Sequence, residues 1–323
     1  MTDEILSVTD LKKYFKTDEG LVKAVDGIDF HINVGETFGL VGESGSGKST
    51  TAFTIIGVYT PTAGEIVFKG QQVSLVNVKK RPKSIKRQMQ MVFQDPGTSL
   101  NPKQTIKQIL ELPLKLHHAD IKDRIERIYE LLERVELPKD YLDRNPGAIG
   151  GGEKQLVAIA RALATNPSFI ALDEPTSALD VSMQGKILNT LMRIQKESEL
   201  SYLFITHDLS LMRNVAARVG IMYLGKLFEV AKTEEFFHKP LHPYTKMLLS
   251  SIPVVTDEEE KMKPAKAVSR GEIPSPVNVP SGCYFHPRCV DCMDMCMTEE
   301  PPTIEVEPGH TVKCHLFSAS TES

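Results

Sequence analysis

A chain of 323 residues, 41% hydrophobic and 25% charged, has material for one large domain or a domain with an appendage. Its formal net charge of −4 excludes the basic footprint of a nucleic-acid binder, so no nucleic acid is expected among its partners. Met1-Thr2-Asp3-Glu4 lacks the basic and apolar segments of a signal peptide, and no apolar run reaches the ~18–20 residues of a membrane span. The chain is therefore read as soluble, with any membrane role peripheral. All five cysteines fall between 283 and 314, which in a cytosolic-looking chain points to a metal site more than to a disulfide scaffold.

Residues 5–70 read as mostly β, with strand patterns at Ile5–Val8, Ala24–Ile32 and Gly64–Lys69 punctuated by glycines. Tyr14 lies upstream of the next feature; alone it reads as a packing residue, although an aromatic there can stack on a purine. Phe38–Val41 reads as a buried strand and Thr50–Ile56 as a helix. Between them runs Gly42-Glu43-Ser44-Gly45-Ser46-Gly47-Lys48-Ser49-Thr50, which fits G-x-x-x-x-G-K-[ST]. Its glycines let successive N–H groups wrap a polyphosphate, Lys48 reaches the β- and γ-phosphates, and the Ser49 hydroxyl is a Mg²⁺ ligand. The helix dipole adds to this anion site. Strand, loop and helix together predict a nucleotide site rather than a flexible surface loop.

A basic stretch, Lys79–Arg87, precedes a strand at Met89–Phe93 that ends in Gln94-Asp95-Pro96. The Gln94 amide oxygen can ligate Mg²⁺ or orient water, although Asp95-Pro96-Gly97 is also an ordinary turn signal. Ile106–Val135 is predicted helical, with Ile121, Ile125, Ile128, Leu132 and Val135 as a core stripe. A Gly-rich loop, Arg144–Glu153, opens a helix over Lys154–Ala164, a geometry shared by anion sites and flexible joints. Phe169–Leu172 reads as a central parallel strand delivering Asp173 and Glu174. Two carboxylates there suit phosphoryl chemistry, with Asp173 near Mg²⁺ and Glu174 polarising a water. Ser201–Thr206 is a further strand that carries His207 at its carboxyl end, where ligands of α/β sheets gather. Arg218–Tyr223 and Lys226–Ala231 form a predicted hairpin. Beyond about 235, frequent prolines mark an irregular appendage with a charged linker at Glu258–Lys263.

In this order, the Gly42–Thr50 loop, Gln94, Ile149–Glu153, Phe169–Glu174, Ser177-Ala178-Leu179-Asp180 and His207 resemble the ATPase subunits of ABC transporters over roughly residues 5–235. The resemblance implies an α/β fold: a RecA-like P-loop domain (1–235) with an antiparallel β-subdomain carrying Tyr14 and a helical subdomain at about 95–160. A Pro/Cys-rich C-terminal extension (236–323) follows. It also implies that Tyr14 stacks on the adenine of ATP, that Glu174 and His207 are catalytic, and that Ser49, Gln94 and Asp173 hold Mg²⁺. Two subunits sandwich two ATPs in this family, so Ile149, Gly150, Gly151, Gly152 and Glu153 face the partner's nucleotide, flanked by Ser177 and Asp180.

The segments Ile273-Pro-Ser-Pro-Val277, His242-Pro-Tyr-Thr245 and Gly282-Cys-Tyr-Phe-His-Pro-Arg-Cys289 are similar to those of oligopeptide/dipeptide importers, and to their F-type ATPase subunit in particular. Members pair with a D-type ATPase, two membrane permeases and an external substrate-binding protein, at the cytoplasmic face of the membrane. Some relatives carry nickel or oligosaccharides. Cys283-x5-Cys289-x6-Cys296-x17-Cys314 matches a family motif that holds a [4Fe–4S] cluster in some members; Zn²⁺ is the alternative, and Cys292 is an extra candidate ligand. One position departs from the pattern. The family's Leu-Ser-Gly-Gly-Gln is here Ile149-Gly150-Gly151-Gly152-Glu153, without the serine donor and with a carboxylate in place of an amide. The site that this chain completes for its partner is expected to be the weaker one. A regulatory or non-transport ABC ATPase with little turnover is the competing reading.

Overall fold

The computed structural model describes residues 4–74, 78–117, 124–177, 179–252 and 271–321. In chain order, β1 (Glu4–Thr17) and β2 (Gly20–Asn33) form a long hairpin, followed by β3 (Thr37–Val41), α1 (Lys48–Ile56), β4 (Ala63–Phe68) and β5 (Gln71–Gln72). Then come α2 (Lys83–Gln88), β6 (Met89–Val92), α3 (Pro96–Ser99), α4 (Ile106–His117), α5 (Arg124–Arg134) and α6 (Gly151–Leu163). The second half holds β7 (Phe169–Asp173), α7 (Val181–Ser198), β8 (Ser201–Thr206), α8 (Leu209–Val215), β9 (Arg218–Tyr223) and β10 (Lys226–Lys232). Beyond it lie α9 (Thr233–His238), α10 (Pro243–Ser250), α11 (Asp294–Thr298), β11 (Thr303–Glu307) and β12 (His310–Lys313).

Two sheets result. The first is four-stranded and antiparallel, in the order β2-β1-β4-β5; the second has eight strands in the order β11-β12-β10-β9-β3-β8-β7-β6. Within the second, β9, β3, β8, β7 and β6 run parallel, while β10, β11 and β12 add antiparallel pairs at one side. Every residue of β3, β7 and β8 is buried, as strands covered on both faces must be, so their sequences read as continuous runs without alternation. Parallel pairing brings the carboxyl ends of β3, β8, β7 and β6 to one edge. The loops leaving those strands carry Gly42, His207, Glu174 and Gln94.

The helix predicted over Ile106–Val135 is two helices, α4 and α5, with residues 118–123, and so Ile121, outside the described residues. Both pack on α6 through Leu110, Leu114, Ile128, Leu131 and Leu132, all fully buried. The charged linker at 258–263 also lies outside the described residues. The residues beyond 235 are less irregular than their prolines predict. The β11–β12 hairpin pairs with β10 through Glu229 and Val230 and so extends the main sheet. Glu229 is fully buried there, and its carboxylate accepts from the Leu241 and His242 N–H groups and bonds the His310 ring. Such a hydrogen-bonded carboxylate is a tolerable buried charge, and it ties the tail to the sheet edge.

Candidate nucleotide site

The turn from β3 into α1 is built on glycines because nothing larger fits. A Cβ on Gly42 would lie 2.1 Å from the Met222 carbonyl oxygen, and one on Gly47 2.0 Å from that of Ala24. Gly47, the N-cap of α1, also has φ +107°. The loop thus lies against backbone on its outer side and leaves its N–H groups facing the cleft. Lys48 is 5% exposed, and its ammonium donates to the carbonyls of Gly42 (2.8 Å) and Glu43 (2.9 Å). Burial pulls its pKa below the ordinary lysine value, opposed by the charges of Glu174 and Asp173. A cleft of about 240 Å³ opens here, its lining including Ser44, Gly45, Lys48, Gln94, Glu174 and Pro276.

Across the cleft, the Ser49 hydroxyl donates to Asp173 Oδ1 at 2.9 Å. Asp173 is 2% exposed; burial raises its pKa, with the Ser49 hydrogen bond opposing. Ser49, Asp173 and Gln94 supply the hard oxygens that Mg²⁺ takes, beside a loop shaped for phosphates, so the donor set fits this ion. Glu174 is held at both carboxylate oxygens: Gln94 Nε2 donates to Oε2 (3.0 Å), and His207 Nδ1 lies 3.2 Å from Oε1. Its backbone sits at φ +45°, a costly conformation for a residue with a Cβ, fixed by hydrogen bonds from its N–H to Ile205 and from Ser177 to its carbonyl. Strand order explains this gathering. Lys48, His207, Glu174 and Gln94 follow β3, β8, β7 and β6, which are neighbours in the sheet.

The predicted set divides on other counts. Tyr14 does not line the cleft; its hydroxyl donates to Asp26 Oδ1, while Tyr284 of the tail donates to Oδ2 at 2.8 Å. Burial opposes the Asp26 charge, but these two hydroxyls and Lys226 outweigh it and hold the carboxyl below its usual range. The Ile149–Glu153 segment stands apart, at the start of α6. There Glu153 turns back on its own helix: Oε2 accepts from the Gly150 N–H at 2.7 Å and Oε1 from the Tyr141 hydroxyl at 2.6 Å. The Tyr141 hydroxyl and the Gly150 N–H lower its pKa, so it stays ionised. Gly152 has no room for a Cβ against Met183 (2.1 Å), which presses α6 onto the start of α7. Asp180 caps α7 by accepting from the Met183 N–H; Ala178 lies outside the described residues.

The cysteines are free thiols, with Cys283, Cys296 and Cys314 buried, Cys289 half-buried and Cys292 exposed. Burial pushes Cys283 and Cys289 up to about 12 and Cys314 to about 11. Among the described residues no group of three His, Cys, Asp or Glu, the expected set Cys283, Cys289, Cys296 and Cys314 included, is placed to hold a metal ion. The segments that carry these cysteines are joined through the backbone, the Cys283 N–H donating to the Cys296 carbonyl at 2.9 Å.

Sequence reasoning missed the residues that reach this site from the tail. Arg288 forms a two-pronged pair with Glu43 of the phosphate loop (2.7 and 3.0 Å), and the Glu43 N–H donates to the Tyr244 hydroxyl at 3.2 Å. No local signal gives such pairs, since about two hundred residues or more separate the partners. A buried arginine within a cysteine motif was the available hint, because a charge there needs a partner.

Comparison with known proteins agrees with this geometry. A family model described as ABC transporter matches residues 25–177, and one described as oligopeptide/dipeptide transporter, C-terminal region, matches residues 228–296. The chain is 47% identical to the oligopeptide transport ATP-binding protein AppF of Bacillus subtilis, covering 98% of each chain. It is 42% identical to a putative peptide import ATP-binding protein of Brucella ovis, over 96% of this chain and 97% of that one. Among solved structures, a dimeric ATP-binding cassette in a post-hydrolysis state with ADP and Pi superposes with a TM-score of 0.65 at 31% identity, over 71% of this chain and 98% of that one. Phosphate loop, paired carboxylates and tail therefore identify the chain as a member of the ABC transporter ATPases, in the branch that carries the oligopeptide/dipeptide transporter C-terminal region.

Proposed function

We propose that this ATPase drives the import of oligopeptides or dipeptides through partner permeases. The observation that carries the reading is the tail, which joins the main sheet and touches the phosphate loop in a chain nearly half identical to an oligopeptide transport ATP-binding protein. In this reading residues 1–235 are the ATPase and 236–323 the transporter-specific extension. A second, D-type cassette, two permeases and an external binding protein complete the importer, with the chain peripheral at the cytoplasmic face. Among the described residues no helix is long and apolar enough to cross a membrane, which fits attachment through partners.

Each residue has a task. Lys48 and the N–H groups of the 42–50 loop, apart from those of Glu43 and Ser46, which are bonded within the protein, bind phosphates; Ser49, Asp173 and Gln94 would hold Mg²⁺, which would neutralise phosphate charge. Glu174 takes the proton of the attacking water, and its positive φ aims the carboxylate into the cleft while His207 orients it. Tyr14 offers its ring face to the adenine, its hydroxyl being held by Asp26. Ser177 and Asp180 fix the approach of the second cassette, whose nucleotide meets Ile149–Glu153. A [4Fe–4S] cluster or Zn²⁺ at Cys283, Cys289, Cys296 and Cys314 is a separate proposal, resting on the resemblance of their spacing to the family motif; iron, sulfide and zinc analysis of anaerobically purified chain decides it. The functional test is reconstitution with the neighbouring permeases and scoring of ATP-dependent peptide uptake. Uptake of nickel or an oligosaccharide in place of peptide redirects the substrate, and ATPase activity with no uptake of any solute favours the regulatory reading.

A further inference from the structure

The loop between Cys283 and Cys289 reaches both the antiparallel sheet and the phosphate loop. Tyr284 bonds Asp26 on the antiparallel sheet, and Arg288 bonds Glu43 on the phosphate loop. Glu43 is thereby fixed from three sides: its carboxylate by Arg288, its N–H by the Tyr244 hydroxyl, and its carbonyl by the Lys48 ammonium. Arg288 is 7% exposed and lies against the rings of Tyr223 and Phe285, so the guanidinium is held in one orientation. Ahead of it in the tail, Pro276 lines the cleft and Val277 packs on Gly20.

We infer that Arg288 is a positioning residue for ATP binding: by pairing with Glu43 it cancels a negative charge at the phosphate loop and holds the carbonyl on which Lys48 rests. The loop is otherwise a poor place for a carboxylate, since an anion nest that carries its own unpaired negative charge repels the ligand it is shaped for. Arginine suits the task because its planar fork meets both carboxylate oxygens at once; lysine supplies the charge without the fork. The ATP site of this chain is therefore complete only when the tail is docked. A change in how the Cys283–Cys289 loop sits is felt at Lys48 through a single ion pair.

The inference rests on ATP binding at the phosphate loop, which titration of the wild-type chain, with Lys48→Ala as its failing control, checks independently. The test titrates Mg²⁺-ATP into full-length variants and follows kcat and KM of hydrolysis. Arg288→Ala should raise the ATP dissociation constant and KM by about tenfold or more, with kcat little changed because Glu174 is untouched. Arg288→Lys should fall between Ala and wild type. Adding Glu43→Gln to Arg288→Ala should recover most of the loss, since the orphaned charge is gone. A purely structural role predicts the opposite pattern: a lower unfolding midpoint, kcat and KM falling together, and no recovery from Glu43→Gln. That pattern, or an Arg288→Ala dissociation constant within about twofold of wild type, overturns the inference. Should Arg288→Ala fail to fold, Arg288→Gln, which keeps most of the side-chain volume and removes the charge, takes its place, read through its KM and its recovery by Glu43→Gln.

Discussion

Two helix N-termini in this chain are offered to phosphate, and they are in unlike condition. At α1 the Gly42–Thr50 loop leaves its N–H groups facing an open cleft, and the nearby charge of Glu43 is neutralised by Arg288. At α6 the equivalent groups begin at Gly150, and a carboxylate of the same helix already takes the Gly150 N–H. Both exploit the same physics, the unpaired N–H groups and positive end of a helix. In one case the anion is supplied from outside, in the other by Glu153. In the proposed pairing with a second cassette, this chain thus brings one half-site with open N–H groups and one whose first N–H is already taken.

Turnover is where the comparison predicts most. Replacing Glu174 by Gln removes the base but keeps its shape, its φ and its contact with Gln94. Hydrolysis at this chain's own phosphate loop should fall by roughly 10²–10⁴-fold while ATP binding survives. Single-turnover hydrolysis measured beside ATP binding separates the two. Loss of binding together with turnover makes Glu174 structural, and near-normal turnover removes it from the mechanism.

The α6 half-site is sharpened by rebuilding it. Gly150 has ordinary extended backbone, so serine meets no strain there, but its Cβ would come within 3.3 Å of Glu153 Oε2. Serine therefore needs Glu153 moved, and Gly150→Ser should work best with Glu153→Gln. In a complex whose own Glu174 is silenced, so that turnover comes only from the partner's loop, the double change should raise hydrolysis by about tenfold to a hundredfold. That is the value of regaining one transition-state donor, less the cost of helix reorganisation. Equal rates before and after mean that the backbone N–H groups alone hold the phosphate and that Gly150 is harmless.

Mg²⁺ affinity should depend on pH through Asp173. Its pKa is raised by burial, so a proton competes with the metal in a range where an ordinary aspartate is already ionised. Binding of Mg²⁺-ATP should weaken as pH falls toward that raised value, and Asp173→Asn should abolish the dependence along with most metal binding. Calorimetric titration at several pH values reads this directly. A flat profile in wild type assigns the metal to Ser49 and Gln94 without Asp173.

How much of this was legible beforehand follows from the range of the interactions. Asp173, Glu174 and His207 each sit at the end of a strand whose buried run announces itself, and Lys48 lies in the glycine loop motif that follows such a strand, so these local patterns were enough to gather them. Glu153 was legible as an odd carboxylate but not as a cap, because the Tyr141 hydroxyl that completes it comes from an irregular segment without periodicity. Arg288 and Tyr284 belong to a tail whose prolines read as disorder of pattern, yet β12 pairs with β10 and brings them home. The α4–α5 division was hidden because both segments carry apolar residues at helical spacing, Ile106, Leu110 and Leu114 in one, Ile128 and Leu132 in the other. Tyr14 was legible as an aromatic upstream of the loop, but not the Asp26 carboxylate that its hydroxyl meets, because that contact is made across the β1–β2 hairpin.

The smallest expected effect concerns the α6 cap itself. The Glu153 carboxylate satisfies the Gly150 N–H and sits at the positive end of the helix, while Tyr141 donates to its other oxygen. Tyr141→Phe deletes one hydrogen bond at the surface and should lower the unfolding midpoint only slightly. Glu153→Gln keeps an acceptor for Gly150 and loses only the charge, so its cost should be a few tenths of a kcal/mol by the usual scale of charge–dipole effects near water. The pH dependence gives the cleaner reading. Because the folded pKa of Glu153 is depressed, its stabilisation is complete above the ordinary glutamate value and is lost as pH falls through the depressed one. The gap in unfolding midpoint between wild type and Glu153→Gln should therefore be open at neutral pH and close in acid. A gap that persists unchanged into acid means that shape rather than charge holds the helix start, and the half-site is then less obstructed toward phosphate than its carboxylate implies.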